Sequence, residues 1–314
     1  MLKILIYGAG VIGSLFAGKL ASSGYDISVL SRGSRYTEIL NNGILLRQSN
    51  SNRVEKYRIK LIDYLENDDV YDYIIVCMQK TQVEDIIPIL SRNNSPNIVF
   101  VVNNALGYDN WSSAIGKDRL MVGFPSAGGM RKDGIVEYFI GKGIIRMFQT
   151  TTFGEINGSS TKRLNDLVSI FSSSGIPAVE SSDMDSWQKT HIAIVTSIAN
   201  ALYKYQSDNY KLSNSYRDIY TMIKSIKEGL NVIQKLGYRI TPFKLNYFRL
   251  PAWMITLVMK PIMGTKLAEV AMAKHTIVAK PEMKQLQKEF DFLINMSMLE
   301  TPNIHSLRNY LLDL

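Results

Sequence analysis

Residues 3–13 read KILIYGAGVIG, and this stretch limits the fold of the first half of the chain more than any other feature. An apolar run of strand length ends at Gly8, a helical pattern runs from Val11 to Ser23, and Gly24 stops it before a second apolar run, DISVLS, begins. Glycine spaced 8, 10 and 13 at a strand-to-helix junction has a physical reason at each position. Gly8 permits the tight turn, Gly10 lets a pyrophosphate approach the backbone, and Gly13 lets the helix pack on the strand. Val11 and Ile12 open the helix, whose N-terminus attracts phosphate charge. A parallel sheet with a dinucleotide site at its edge is expected.

The end of the second strand selects the nucleotide. An acid there holds the ribose hydroxyls of NAD, whereas an arginine accommodates the extra phosphate of NADP. The chain reads VLSRGSR, offering Ser31, Arg32, Ser34 and Arg35 and no carboxylate. Arg32, assisted by Ser31, is therefore expected to clamp a 2′-phosphate, which makes NADP the expected cofactor. The competing expectation for Arg32 is a solvated loop residue.

Apolar runs DYIIVCM, NIVFVV and RLMVGF continue the alternation of strands and helices. GILLRQ and KYRIKLI read as a hairpin or edge excursion, and GIVEYFI and GIIRMFQTTTFGEI as antiparallel strands finishing the sheet. SAGGM (126–130) reads as a glycine-rich loop over a substrate, with a tight strand connection as the alternative. Helical patterns over 184–204, 214–236, 252–276 and 281–297 then replace strands. The expected fold is α/β: a Rossmann-type doubly wound sheet over residues 1–180, binding NADP, then an all-helical substrate or dimerisation domain over residues 181–314. A small substrate is expected in a cleft between such halves.

Composition excludes several classes. With 46% hydrophobic and 20% charged residues the chain is globular rather than disordered. Its net charge of +8 favours anionic ligands, but no dense basic run marks a nucleic-acid partner. The single cysteine, Cys77, leaves no CxxC metal site and no intramolecular disulfide, as suits a cytoplasmic protein. PAWMITLVMKPIMG (251–264) is too short to cross a bilayer and reads as a buried or dimer-contact helix, so no membrane is expected and a homodimer is.

Five motifs together resemble the ketopantoate reductase family: the glycine turn with Arg32, VCMQKTQ, VVNNALG, GFPSAGG and DSWQKTH. The resemblance covers most of the chain. It implies an NADPH-dependent reductase of a small 2-oxo acid with a Rossmann half and a helical half. On this resemblance Lys80 lies near the cofactor ribose, Asn104 beside the nicotinamide and substrate, and Lys189 polarises the carbonyl and supplies a proton. Lys80 or Arg131 is expected to attract the substrate carboxylate, and no metal is implied.

Departures from the family accompany the likeness. Ala105 stands in place of a usual glycine, and Ala193 and Ser197, on the face of Lys189, replace asparagines. The family's serine and glutamate stretch is not found, the glutamate's place falling near Thr221, with Glu228 two turns on. Asp208 and Asn209 offer replacement cleft residues, while His275 and Glu282 read first as a surface histidine and a first-turn glutamate. His191 points away from the Lys189 face and reads as structural. Two other readings stay open: a non-catalytic NADP-binding sensor, and a hydroxy-acid or opine-type dehydrogenase.

Overall fold

The structure, a computed structural model, describes residues 1–140 and 150–312. It divides into two compact units, Met1–Val102 with Tyr108–Met184, and Asn103–Gly107 with Asp185–Leu314. The second unit thus takes a five-residue loop from within the first half of the sequence.

The first unit holds strands β1 (Lys3–Tyr7), β2 (Asp26–Leu30), β3 (Ile44–Gln48), β4 (Val54–Tyr57), β5 (Lys60–Ile62), β6 (Tyr73–Val76), β7 (Ile98–Val101), β8 (Leu120–Phe124), β9 (Ala127–Lys132), β10 (Ile135–Ile140), β11 (Thr151–Glu155) and β12 (Ala178–Glu180). Eight of them form one sheet in the order β12-β11-β8-β7-β6-β1-β2-β5, and the order reverses beside β1, where a doubly wound sheet opens its ligand crevice. All its pairs are parallel except β11 with β8. The continuous apolar runs predicted as buried strands are so because helices cover both faces.

A second sheet, β4-β3-β10-β9, corrects two expectations. GIVEYFI does not finish the main sheet: as β10 it pairs with β3 and β9. SAGGM is not a loop, since Ala127–Lys132 forms β9, antiparallel to β10. Gly129 is needed there, because a Cβ would stand 2.1 Å from the Glu137 carbonyl. The helix Val11–Ser22 runs between the two sheets, and its lack of a polar stripe follows from burial on both sides. The expected strand at GIIRMFQ lies outside the described residues.

The second unit is helical. The helices Met184–Tyr203, Tyr216–Lys235 and Lys280–Ser297 pack on one another around Ile192, Ala193, Met222, Ile226, Leu286 and Phe290. A helix at Pro302–Leu312 had no counterpart in the sequence reading. The expected helix 252–276 is broken: Ala252–Met263 ends at Gly264, and helix resumes only at Lys266. No helix among the described residues is long and apolar enough to cross a membrane.

Candidate active site

The glycine turn follows its predicted logic atom by atom. Gly8 has φ +110°, and a Cβ on it would lie 2.6 Å from the carbonyl of Cys77, the residue after β6. At Gly13 a Cβ would be 1.9 Å from the Gly8 carbonyl, so the helix sits directly on the turn. Gly10 is different: a Cβ there meets no atom within 4 Å, and its φ of −70° is open to any residue. Among the described residues nothing demands glycine at that point, which fits a space kept clear for a ligand. The helix that follows has no acid in its first turn, so its N–H groups and positive end are not neutralised from within. These features fit a dinucleotide pyrophosphate.

Arg35 braces the turn, a role the sequence reading did not foresee. It is 9% exposed, and its Nε donates to the Ala9 carbonyl (3.1 Å) and its Nη2 to Ser14 Oγ (3.0 Å). Glu38 accepts from Arg35 Nη1 at 2.8 Å and also pairs with Arg131 at 3.5 Å. Arg131, expected to draw a carboxylate, therefore has a carboxylate of this chain beside it. Arg32 is exposed at the end of β2, donating to the Asp63 carbonyl (3.2 Å) and to the Tyr7 hydroxyl (3.3 Å). Burial raises the Tyr7 pKa, against the opposing charge of Arg32. Ser31 is buried, with its N–H on the Ile62 carbonyl. Lys80 lies over the Trp111 indole, 4.4 Å from its centroid, and Trp111 stacks on Phe100.

The second unit gathers the other predicted residues. Lys189 is 1% exposed on the helix Met184–Tyr203, ion-paired one turn back with Asp185 and 4.4 Å from the Tyr238 ring centroid. A buried ammonium keeps its charge only with such partners. Beside Asp185 runs the 103–107 loop, where a Cβ on Gly107 would lie 3.9 Å from Asp185 Oδ1. Within the loop, Asn104 donates to the Gly107 carbonyl and its Oδ1 accepts from the Leu106 N–H (3.1 Å). Lys189 and Asn104 thus share one neighbourhood through Asp185 and Gly107.

Two carboxylates from the helix Lys280–Ser297 reach the same loop. Glu282 accepts from Asn103 Nδ2 (3.1 Å), and Glu289 from the Ala105 N–H (3.1 Å). Both are buried, and Asn103 Oδ1 is a buried acceptor without a hydrogen bond. Glu282 is a first-turn glutamate after Pro281, as its sequence context implied, but a buried one. Ala105 is wholly buried in the helical core, which explains a side chain where the family prefers glycine.

Other expectations resolve as packing. A Cβ on Gly229 would be 3.0 Å from the Ala193 Cβ, so position 193 serves a close helix crossing. Ser197 bonds Ser225 at 2.8 Å, both buried, and Asn200 donates to Gln287 at 2.8 Å. Asp208 caps the helix Asn209–Asn214 and Asn209 holds the Met263 carbonyl, so neither is a loose cleft residue. Thr221 only back-bonds to the Arg217 carbonyl, and Glu228 caps the helix Pro302–Leu312 through the N–H groups of Asn303 and Ile304. His191 stacks on Trp187, 5.5 Å between centroids. The His275 side chain lies outside the described residues. Among the described residues no three His, Cys, Asp or Glu side chains gather as metal ligands.

Known proteins agree with this architecture. The chain is 24% identical over 197 residues to the uncharacterized oxidoreductase YkpB of Bacillus subtilis (strain 168), a match spanning 60% of this chain and 61%, under two thirds, of that relative. The solved 2-dehydropantoate 2-reductase of Geobacter metallireducens GS-15 has the same fold, with TM-score 0.80 at 17% identity over 99% of each chain. D-mandelate dehydrogenase, solved with NADH and anilino(oxo)acetate, has TM-score 0.76 at 13% identity, covering 99% of this chain and 97% of that one. The family model of ketopantoate reductase PanE/ApbA matches residues 4–157. That stretch, just under half of the chain, carries the glycine turn, Arg32, Lys80 and Asn104, and by it the chain is similar to the ketopantoate reductase PanE/ApbA family.

Proposed function

We propose that this protein is an NADPH-dependent reductase of a small 2-oxo acid. The observation that carries the proposal is the ion pair of buried Lys189 with the partly exposed Asp185 beside the loop of Asn104, in a chain whose other unit bears an open glycine turn. Bound NADPH supplies a hydride to the substrate carbonyl carbon. Val11 and Ile12 N–H groups and the helix N-terminus hold the pyrophosphate, with Gly10 leaving room for it. Arg32 and Ser31 take the 2′-phosphate, and Lys80 the neighbouring ribose.

Lys189 does the chemistry at the oxygen. Its Nζ–H donates to the carbonyl, stabilises the charge that develops there, and then delivers a proton to make the alcohol. Asp185, ion-paired with Nζ, orients it. Asn104 positions the loop at the substrate, and Asn103 Oδ1 and Glu282 offer acceptors to a substrate hydroxyl. Arg32 is the residue expected to favour NADPH over NADH, since D-mandelate dehydrogenase shows that the fold also takes NADH.

NADPH oxidation, followed across a panel of 2-oxo acids that includes 2-dehydropantoate, tests this. Turnover of a panel member, lost in Lys189→Ala while NADPH still binds, supports the proposal. Undiminished turnover in Lys189→Ala overturns the assignment of Lys189. Tight NADPH binding with no turnover favours the sensor reading, whose motive is that Ala193 and Ser197 are committed to packing.

A further inference from the structure

Three neighbouring strand ends of the first unit converge on Arg32, and the strand register brings them together. Tyr7 is level with Leu30 in the β1–β2 pairing, and Leu30 with Ile62 in the β2–β5 pairing. Tyr7, Arg32 and Asp63 therefore stand side by side where these strands end. Arg32 Nε donates to the Asp63 carbonyl (3.2 Å) and Arg32 Nη2 to the Tyr7 hydroxyl (3.3 Å). Nε and Nη2 form one edge of the planar fork, so two bonds from that edge fix the plane of the guanidinium. The other edge, with one N–H from each Nη nitrogen, is the pair of parallel donors that two oxygens of a phosphate accept from.

Neither anchor carries a charge. Arg35 has the Glu38 carboxylate at 2.8 Å, whereas the two groups that hold Arg32 are a backbone carbonyl and a hydroxyl. Tyr7 is 1% exposed, and burial raises its pKa, so its hydroxyl orients the cation without neutralising it. An exposed arginine samples many rotamers, and ordering it on binding weakens affinity. Anchoring to a buried ring on β1 meets that cost before the ligand arrives.

We infer that Tyr7 is a positioning residue for cofactor choice: its buried hydroxyl holds Arg32 in the orientation that receives the 2′-phosphate, and so sets the preference for NADPH over NADH. The inference rests on the proposed reading of Arg32 as the 2′-phosphate clamp.

Calorimetric titration of the protein with NADPH, NADH and adenosine 2′-phosphate tests it. Tyr7→Phe keeps the ring and removes the anchor. It weakens NADPH and adenosine 2′-phosphate roughly tenfold, the worth of one hydrogen bond to a charged group, and leaves NADH within about twofold. In an Arg32→Ala background the same change alters NADPH affinity by less than about twofold, because the residue through which Tyr7 acts is gone. Arg32→Lys, altered only at the exposed partner, gives a second arm that does not depend on the folding of a core variant. It keeps the charge, loses the anchored fork, and lowers the preference for NADPH at least about tenfold.

Equal weakening of NADPH and NADH by Tyr7→Phe marks a merely structural tyrosine and overturns the inference. So does an undiminished effect in the Arg32→Ala background, or a lysine that keeps the preference. A wild type that prefers NADPH, with that preference unchanged in Tyr7→Phe, overturns the role of Tyr7 and leaves the reading of Arg32 standing. A wild type that binds NADH as tightly as NADPH overturns both.

Discussion

Replacing Gly10 by alanine separates what the glycine turn does for the fold from what it does for a ligand. A methyl group at Gly10 meets no atom of the chain within 4 Å, whereas at Gly13 it would lie 1.9 Å from a carbonyl oxygen. Alanine at position 10 gains about 0.4–1 kcal/mol from a less flexible unfolded chain and loses about as much as a poorer N-cap. The melting temperature of Gly10→Ala should therefore stay within about 2 °C of wild type. Gly13→Ala forces backbone apart and should cost about 3 kcal/mol, roughly 5–10 °C. The order inverts for NADPH. On the proposed mode of NADPH binding the methyl at position 10 would stand where the pyrophosphate meets the helix N-terminus, and loss of two charge-assisted hydrogen bonds there would cost about 3 kcal/mol, close to 100-fold in affinity. Thermal denaturation gives the first pair of numbers and fluorescence titration with NADPH the second. Wild-type affinity in Gly10→Ala would refute the argument that the space at Gly10 is kept for the phosphates. A large stability loss in that variant would refute the claim that the space is empty of protein.

Other perturbations follow from the same geometry. Arg35→Ala removes the buried donor to Ser14 Oγ and one of the two donors to the Ala9 carbonyl, which keeps Ser14 Oγ, so the protein should lose about 1–2 kcal/mol, visible in urea titration, with NADPH binding weakened in proportion to the loosened turn. Arg32→Asp should lower NADPH affinity and raise the NADH to NADPH preference by at least about tenfold, read by paired titrations, with little change in melting temperature because Arg32 is exposed. Lys189→Ala should reduce kcat by roughly 10²–10³-fold, the cost of one donor to a developing oxyanion, with NADPH affinity unchanged. Burial alone would raise the Asp218 pKa, but hydrogen bonds from Lys204 (2.8 Å) and Tyr205 outweigh it and hold the carboxyl below its ordinary value. A depressed folded pKa gives stability that is full above the unfolded value near 3.8 and is lost as pH falls through the folded one. Asp218→Asn should thus destabilise by about 1 kcal/mol at neutral pH and flatten the acid limb of a stability profile below about pH 4.

What the sequence made legible was whatever is local. The turn around Gly8, Gly10 and Gly13 needs only eleven residues to be recognised, and Gly8 and Gly13 each have a steric reason at the expected place, while a Cβ on Gly10 meets nothing within 4 Å. The strands β6, β7 and β8 stand out because burial on both faces leaves no room for polar residues. Partners distant in sequence were illegible. Glu282 and Glu289 meet the 103–107 loop across about 180 residues, and no period or spacing marks such a contact. SAGGM looked like a loop because its glycines suggest mobility, when they answer the close approach of β10. Ala193 looked like a lost polar group, when the neighbouring helix brings Gly229 against it. Arg35 was in view beside Arg32, but only the fold turns one arginine under the glycine turn and leaves the other at the surface.

The most direct test of the central claim is transfer of the label itself. NADPH carrying deuterium at C4 of the nicotinamide is incubated with the protein and the 2-oxo acid that it turns over best, and the product is examined by mass spectrometry. Stereospecific appearance of one deuterium at C2 of the hydroxy acid, one for each NADPH consumed and abolished in Lys189→Ala, is the predicted result. NADPH that binds but yields no deuterated hydroxy acid with any 2-oxo acid tried would contradict it.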